Sequence, residues 1–258
     1  MSAEHFNSLT AAAHAIHSAN CAIAFTGAGI SVPSGVPDFR SPGGLWSKYD
    51  PERVCSEWAL RMNPEGVWEF LQDALALFEK ARPNPAHYAL AAMEKSGALE
   101  AVITQNIDNL HQEAGSQSVV EYHGNCQRFY CHGCGRGYPC QDIYAQLQSA
   151  LPLLCPDCQH IVRPDVVFFG EAIPGDAVQR SSDLARRADV MLIVGTSGTV
   201  APANILPQEV AARGGTVIEC NMGPTAYSAI TSIRFDARAE EILPQLEQRV
   251  TALANSPA

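Results

Sequence analysis

Short apolar runs along this chain alternate with longer stretches in which apolar positions recur every three or four residues. Phe6, Leu9, Ala13 and Ile16 fall on one face of a helix. Residues 21–25 form an apolar run too short for a helix, bounded by Thr26 and Gly27, and read as a buried strand. Residues 101–104, 119–122, 166–169, 190–195, 216–221 and 233–235 read the same way. Residues 49–80 are mostly helical in pattern, with Pro51 and Pro64 as punctuation, and Trp68, Leu71, Leu75 and Phe78 share a face that reads as core. Further helices are expected over 84–96, stopped by Gly97, and over 176–187, 203–213 and 239–253. Apolar strands alternating with helices predict an α/β fold, a parallel sheet covered by helices on both faces. Ligands of such sheets bind beyond the strand carboxyl ends, where Thr26, Gln105, His123, Gly195 and Asn221 lie. There is no internal repeat.

The texture changes over residues 126–163, where cysteines, glycines and polar residues replace apolar periodicity, and a small inserted module is expected. Nine cysteines are an odd number, and six of them crowd between Cys126 and Cys158. That clustering points to metal in a reducing compartment and away from a disulfide framework. Cys131-x-x-Cys134 and Cys155-x-x-Cys158, separated by twenty residues, fit a closed four-thiolate site for one structural Zn2+. Cys126 and Cys140 are rival ligands outside any CxxC pair.

Bulk properties narrow the function classes. A chain of 258 residues holds one large domain, or one large and one small. Hydrophobic content of 47% and charged content of 17% describe an ordinary globular protein. A formal net charge of −10 argues against nucleic acid as the main partner. No apolar run approaches the length of a membrane span, so no membrane partner is expected. Glu4 and the lack of a basic region before an apolar core give no sign of a secretory leader, and a cytoplasmic address is expected.

The remaining chemistry sits at the strand ends. Gly27-Ala28-Gly29 follows the first strand directly, a turn that lets backbone approach an anion such as a pyrophosphate. Val32 stands where the third glycine of the usual dinucleotide fingerprint belongs, so a plain NAD(P) dehydrogenase is disfavoured. Asp38, Phe39 and Arg40 make the following loop chemically overequipped for a connector. His123 ends a strand, and an imidazole can take a proton near neutral pH.

Taken in order, GAGIS (27–31), SGVPDFR (34–40), GLW (44–46), TQNIDNLH (104–111), EYHGN (121–125) and VVFFGE (166–171) resemble the sirtuins, the NAD-dependent protein deacylases. The resemblance covers nearly the whole chain and implies a Rossmann-like domain made of residues 1–46, 97–125 and 164–258. A helical insertion (47–96) and the zinc-binding module (126–163) would interrupt it. It implies that NAD, a consumed co-substrate, is held by Gly27, Ala28, Gly29, Ile30, Asp38, Phe39, Arg40 and Trp46. Gln105 and Asn106 would contact the nicotinamide ribose, Asp108 would hold the nicotinamide carboxamide, and Ile107 would also bind the cofactor. Gly195, Thr196, Ser197, Asn221, Met222 and Gly223 would hold the phosphates and adenine ribose, beside Ala239 at the adenine. His123, Asn106 and Asp108 are the implied catalytic residues. Val167, Phe168, Phe169, Gly170 and Glu171 would receive an acetyl-lysine peptide by β-augmentation.

The implied reaction removes an acyl group, acetyl first, from protein lysine. The acyl oxygen attacks the ribose carbon bearing nicotinamide, and His123 accepts a ribose-hydroxyl proton. The products are nicotinamide, free lysine and O-acetyl-ADP-ribose. Two departures matter. Ala201 replaces a tyrosine common in the family, which bears on the substrate groove. Members that remove succinyl or malonyl groups carry a Tyr-x-x-Arg pair, whereas Leu71 and Ala74 stand there in this chain, so neutral acyl groups are expected with Leu71 lining their tunnel. The alternatives are a protein mono-ADP-ribosyltransferase on the same scaffold and a non-catalytic NAD- and zinc-binding module.

Overall fold

A computed structural model describes residues 3–38, 44–147 and 151–255. Its centre is a six-stranded sheet in the order β3-β2-β1-β7-β8-β9. These strands are β1 (Ala22–Thr26), β2 (Ala101–Thr104), β3 (Val119–Glu121), β7 (Val190–Val194), β8 (Thr216–Cys220) and β9 (Ile233–Phe235). Every pairing in it is parallel, as with Ile23 beside Ala101 and Met191. Side chains alternate between two apolar layers. Ala22, Ala24, Leu192 and Ile218 pack under α1 (Ala3–His17), α5 (Pro85–Lys95) and α10 (Ala239–Ala254). Ile23, Phe25, Ile193 and Val217 pack under α8 (Gly175–Arg187) and α9 (Ile205–Ala212). Strands buried on both faces require the near-continuous apolar runs seen in the sequence.

A third apolar cluster lies apart from this sheet. It joins α2 (Pro51–Val54), α3 (Glu57–Met62) and α4 (Pro64–Lys80) to a three-stranded antiparallel sheet of the cysteine-rich stretch. That sheet comprises β4 (Gly124–Cys131), β5 (Gly137–Pro139) and β6 (Val162–Val166), with α7 (Cys140–Gln146) beside it. Trp68 is fully buried in the cluster and its indole N–H donates to Val162 O at 3.0 Å. Proline at the start of α2, α4 and α5 follows Asp50, Asn63 and Asn84, whose side chains cap the helices. α5, grouped from sequence with the helices before it, packs on the large sheet beside α10. Among the described residues no helix is long and apolar enough to cross a membrane.

One strand expectation is corrected. The run 166–169 is not a strand of the large sheet; β6 ends at Val166 as an edge strand paired antiparallel to β4. Beyond it the chain curls, because Glu171 N donates to Phe168 O and the Glu171 carboxylate accepts from Phe168 N. Phe169 makes only an isolated bridge to Ser56. An ion pair buttresses this curl. Arg163 is 1% exposed, grips Glu171 through both terminal nitrogens, and stacks over Phe168 with its guanidinium carbon 4.4 Å from the ring centre.

Removing one partner of such a pair leaves an uncompensated buried charge, which costs about 3–5 kcal/mol when fully enclosed. Glu171 is partly exposed, so Glu171→Gln should destabilise by about 2–3 kcal/mol, lowering Tm by roughly 4–12 °C for a chain of this size. Calorimetry checks this; an unchanged Tm would show the pair to be energetically idle.

Candidate active site

The carboxyl ends of β1, β2 and β7 converge where the strand order reverses, the place at which open α/β sheets hold ligands. Convergence depends on glycine. A Cβ on Gly27 would lie 2.7 Å from Thr196 Cβ, and one on Gly29 would lie 2.7 Å from Gly195 Cα. Gly195 itself needs a φ of +63°, a conformation open to glycine. Gly27 N–H donates to Val194 O at the end of β7 and Gly29 N–H to Gly195 O just beyond it, so these amides bind the neighbouring backbone instead of pointing at an anion. The expected helix start is a 3-10 helix, Ala28–Ser34, which carries Ile30 into the core.

Polar side chains crowd this junction. Asn106, 8% exposed, donates through Nδ2 to Gly27 O (3.2 Å) and Ser31 Oγ (3.1 Å). Ser31 Oγ in turn donates to Asp108 Oδ2 at 2.6 Å, and Leu110 N donates to Asp108 Oδ1 at 3.0 Å. Burial pushes the Asp108 carboxyl up from its usual range, against the opposing pull of those two donors. Gln105 Nε2 donates to Thr196 Oγ1 at 3.0 Å, and Ile107 O accepts from Cys126 N. Ser31, which links Asn106 to Asp108, was not singled out from the sequence. Its signal was there, as the only hydroxyl in GAGIS.

His123 is half-buried after β3. Its Nδ1 lies 3.0 Å from Gln105 O, and a carbonyl can only accept, so the proton sits on Nδ1 and Nε2 is the basic nitrogen. Burial holds the imidazole below its ordinary pKa, partly offset by that hydrogen bond. His123 O accepts from Val167 N at 2.9 Å, tying this histidine to the segment 167–171. There Phe168 is buried, Phe169 is 47% exposed, and Gly170 has a φ of +91°. Trp46 stacks on Phe70 with ring centres 5.5 Å apart and lies 6.2 Å from Phe169. Leu71 and Ala74 are buried in the same apolar cluster. Asp73 pairs with Lys48 and accepts from the Tyr49 hydroxyl at 2.7 Å.

The far side of the junction is lined from β7 and β8. Ser197 is exposed, with its hydroxyl 2.9 Å from Thr199 Oγ1. Asn221 donates through Nδ2 to the fully buried Glu219 at 3.0 Å, Met222 is exposed, and Gly223 N–H donates to Asp236 at 2.8 Å. Ala239 begins α10, and Asp38 is half-buried. Phe39 and Arg40 lie outside the described residues. A cavity of about 470 Å³, bordered by Cys21, Glu100 and Val250, belongs to the opposite, amino-terminal edge of the sheet.

The metal question is answered by four sulfurs. The Sγ atoms of Cys131, Cys134, Cys155 and Cys158 all lie within 4.8 Å of one another, with pairs at 3.4 and 3.7 Å. A tetrahedron with metal–sulfur bonds of ~2.3 Å has edges of about 3.8 Å, so the cluster fits Zn2+. Four thiolates close the shell and make the site structural. Cys140 Sγ instead donates to Cys126 O, and both cysteines stand apart from the cluster. The stretch has no apolar core of its own, and Cys131 and Cys155 are buried in the cluster it shares with α4.

The Sir2 family model matches residues 27–202. An NAD-dependent protein deacylase of Pyrococcus abyssi is 46% identical over 244 residues, covering 93% of this chain and 97% of the relative. A structure solved to explain the mechanism and regulation of Sir2 enzymes superposes with a TM-score of 0.89 at 38% identity, covering 96% of this chain and 99% of that one. A Sir2 variant solved with a deacetylated p53 peptide and 3′-O-acetyl-ADP-ribose gives 0.87 at 37% identity, covering 92% and 96%.

Metal analysis should find about one zinc per chain, for the one four-thiolate site. Cys131→Ser or Cys155→Ser should release it and lower Tm, because binding free energy here is folding free energy. Cys126→Ser and Cys140→Ser should keep it; metal loss from either of these, with retention in Cys131→Ser, would reassign the ligands.

Proposed function

This chain belongs to the Sir2 family, and from that premise we propose that it is an NAD-dependent protein lysine deacetylase. The observation that carries the reading is the orientation of His123. Its proton is committed to Gln105 O, which leaves Nε2 as a base at the strand ends where Asn106 and Asp108 also lie. NAD supplies the acyl-accepting chemistry, since its nicotinamide departs and its ribose carries the acetyl group away. His123 Nε2 takes the proton of the ribose hydroxyl, a role in which positioned transfer is worth ~10²–10⁴-fold. Asp108, braced by Ser31 and Leu110 N, holds the nicotinamide carboxamide, and Gln105 and Asn106 hold the adjoining ribose.

The other candidate residues follow the same reading. Gly27, Ala28, Gly29, Ile30, Asp38, Trp46, Thr196 and Ser197 surround the cofactor, with Phe39 and Arg40 completing the loop. Asn221, Met222, Gly223 and Ala239 take its adenosine end. Residues 167–171 receive the acetyl-lysine peptide of a protein substrate. What supports this is the position of Gly170 and the exposed Phe169 beside Trp46. The cluster around Trp68 supports treating α2–α4 and the cysteine-rich stretch as insertions into the large α/β unit, to which α5 belongs. A reducing cytoplasm suits four free thiolates.

His123→Ala should keep the fold and NAD binding while losing most turnover. Mass spectrometry of an acetyl-peptide incubated with NAD should show free peptide and O-acetyl-ADP-ribose; a peptide that gains ADP-ribose would reveal a transferase. Because burial lowers the His123 pKa, its basic form persists to lower pH than that of a free imidazole. The acid limb of kcat/KM should therefore have its midpoint below ~6.5, and a midpoint above that value would remove His123 as the base.

Acyl preference tests the pocket separately. Leu71 and Ala74 offer a carboxylate no partner, and Asp73 is engaged by Lys48 and Tyr49. Acetyl- and butyryl-lysine should be turned over well, and succinyl-lysine at least ~10-fold worse in kcat/KM, since an unpaired buried charge is costly. Succinyl turnover equal to acetyl would mean that another basic residue reaches the pocket.

A further inference from the structure

Behind the cleft runs a buried chain of polar groups that the reaction above does not touch. It starts at His111 in α6 (Leu110–Glu113), 1% exposed, and His87 in α5, fully buried, whose ring centres are 4.9 Å apart. Burial drives the His87 imidazole down to about 4, and drives His111 well below its ordinary value with His87 as the lesser cause. Both rings are neutral at working pH. His111 Nε2 lies 2.8 Å from Thr26 Oγ1, and the Thr26 hydroxyl donates to Thr104 Oγ1 at 2.9 Å. With its own proton so placed, Thr26 must accept from His111, which fixes the tautomer as Nε2–H.

Thr104 Oγ1 accepts a second hydrogen bond, from Asn106 N–H at 3.1 Å. That amide belongs to the same peptide unit as Gln105 C=O, the acceptor for His123 Nδ1–H. The unit is planar, so the direction of its N–H sets the direction of its carbonyl. Two buried ring nitrogens, His87 Nε2 and His111 Nδ1, find no hydrogen-bond partner among the described residues. An apolar side chain in place of His111 would leave no ring nitrogen of its own unsatisfied, so stability alone does not account for a second histidine beside His87.

We propose that His111, acting through Thr26 and Thr104, is a positioning residue that fixes the plane of the Gln105–Asn106 peptide and thereby the ring of His123. The kinetic part of this proposal rests on reading His123 as the general base; the geometric part stands without it. His87 backs the ring of His111. It also caps α5 by accepting from Asn84 N, while Asn84 Nδ2 donates to Ile30 O and Ser34 Oγ. The pair is thereby keyed to the 3-10 helix that follows the glycine turn.

Two substitutions break the chain and two preserve it. Thr104→Val is isosteric and removes the oxygen, whereas Thr104→Ser retains it. His111→Asn moves the donor away from the Nε2 position, whereas His111→Gln keeps one there. In long-range proton–nitrogen NMR spectra of the protein without NAD, the His123 Nδ1–H resonance should survive in Thr104→Ser and His111→Gln. It should shift, or vanish through solvent exchange, in Thr104→Val and His111→Asn. In deacetylation assays the latter two should lose roughly 10-fold in kcat, the size of one lost hydrogen bond, with both KM values within about two-fold. The double variant should be no slower than the worse single one, because both cut the same chain. A wild-type His123 resonance in folded Thr104→Val overturns the proposal, as does a kcat loss shared equally by Thr104→Ser. If the wild-type protein shows no deacetylation, the reading of His123 as base fails, and the NMR comparison still decides the geometry.

Discussion

Two backbones pass each other at van der Waals distance where β1 and β7 end, and the rest of the site hangs on that approach. Gly27 and Gly29 lie against Gly195 and Thr196 with no room for a Cβ on either glycine of β1's turn. Any side chain there would separate the strand ends and pull Gln105 away from Thr196, and Asn106 away from Gly27 O. The glycines therefore serve the protein's own packing before they serve a ligand. A cofactor meets the surface that remains once the loops have closed on each other: a hydroxyl-, amide- and carboxylate-lined cleft over an apolar sheet.

The metal site and His123 are connected by two strands. β4 begins at Gly124, next to His123, and ends at Cys131 in the thiolate cluster. β6 runs back from Val162 to Val166, and the next residue donates its N–H to His123 O. Trp68 binds the same Val162 from the helical side, and Arg163 with Glu171 locks the curl that follows. The thiolate cluster thus sits at one end of an antiparallel strand pair whose other end adjoins His123. A closed four-thiolate shell can matter to turnover while taking no part in it.

Much of this was legible from residue pattern. The strands of the large sheet announced themselves because burial on both faces demands unbroken apolar runs, and the CxxC pairs because metal geometry demands that spacing. What escaped was long-range. The run Val166-Val167-Phe168-Phe169 has strand composition, yet a glutamate two residues on captures its amide and bends it. α5 looks like its neighbours along the chain but buries its apolar face against α10, a partner about 150 residues away that no local periodicity names. Ser31, Thr26, Thr104 and His111 are individually commonplace; only the register of β1 beside β2 places two threonine hydroxyls 2.9 Å apart.

That same register has a consequence for how the chain can vary. β1 and β2 are adjacent and parallel, with Ala101 beside Ile23, so the excursion that leaves at Thr26 must come back by three residues of strand, ~10 Å, to begin β2. The entropy of closing so large a loop is met once, by the pairing of the two strands, and grows only logarithmically with the residues between them. Lengthening or shortening the helices beyond the cleft by a turn would change that term by a small fraction of a kcal/mol. Loop closure therefore sets little limit on the length of this excursion, provided that the residues pinned to the strand ends stay in step.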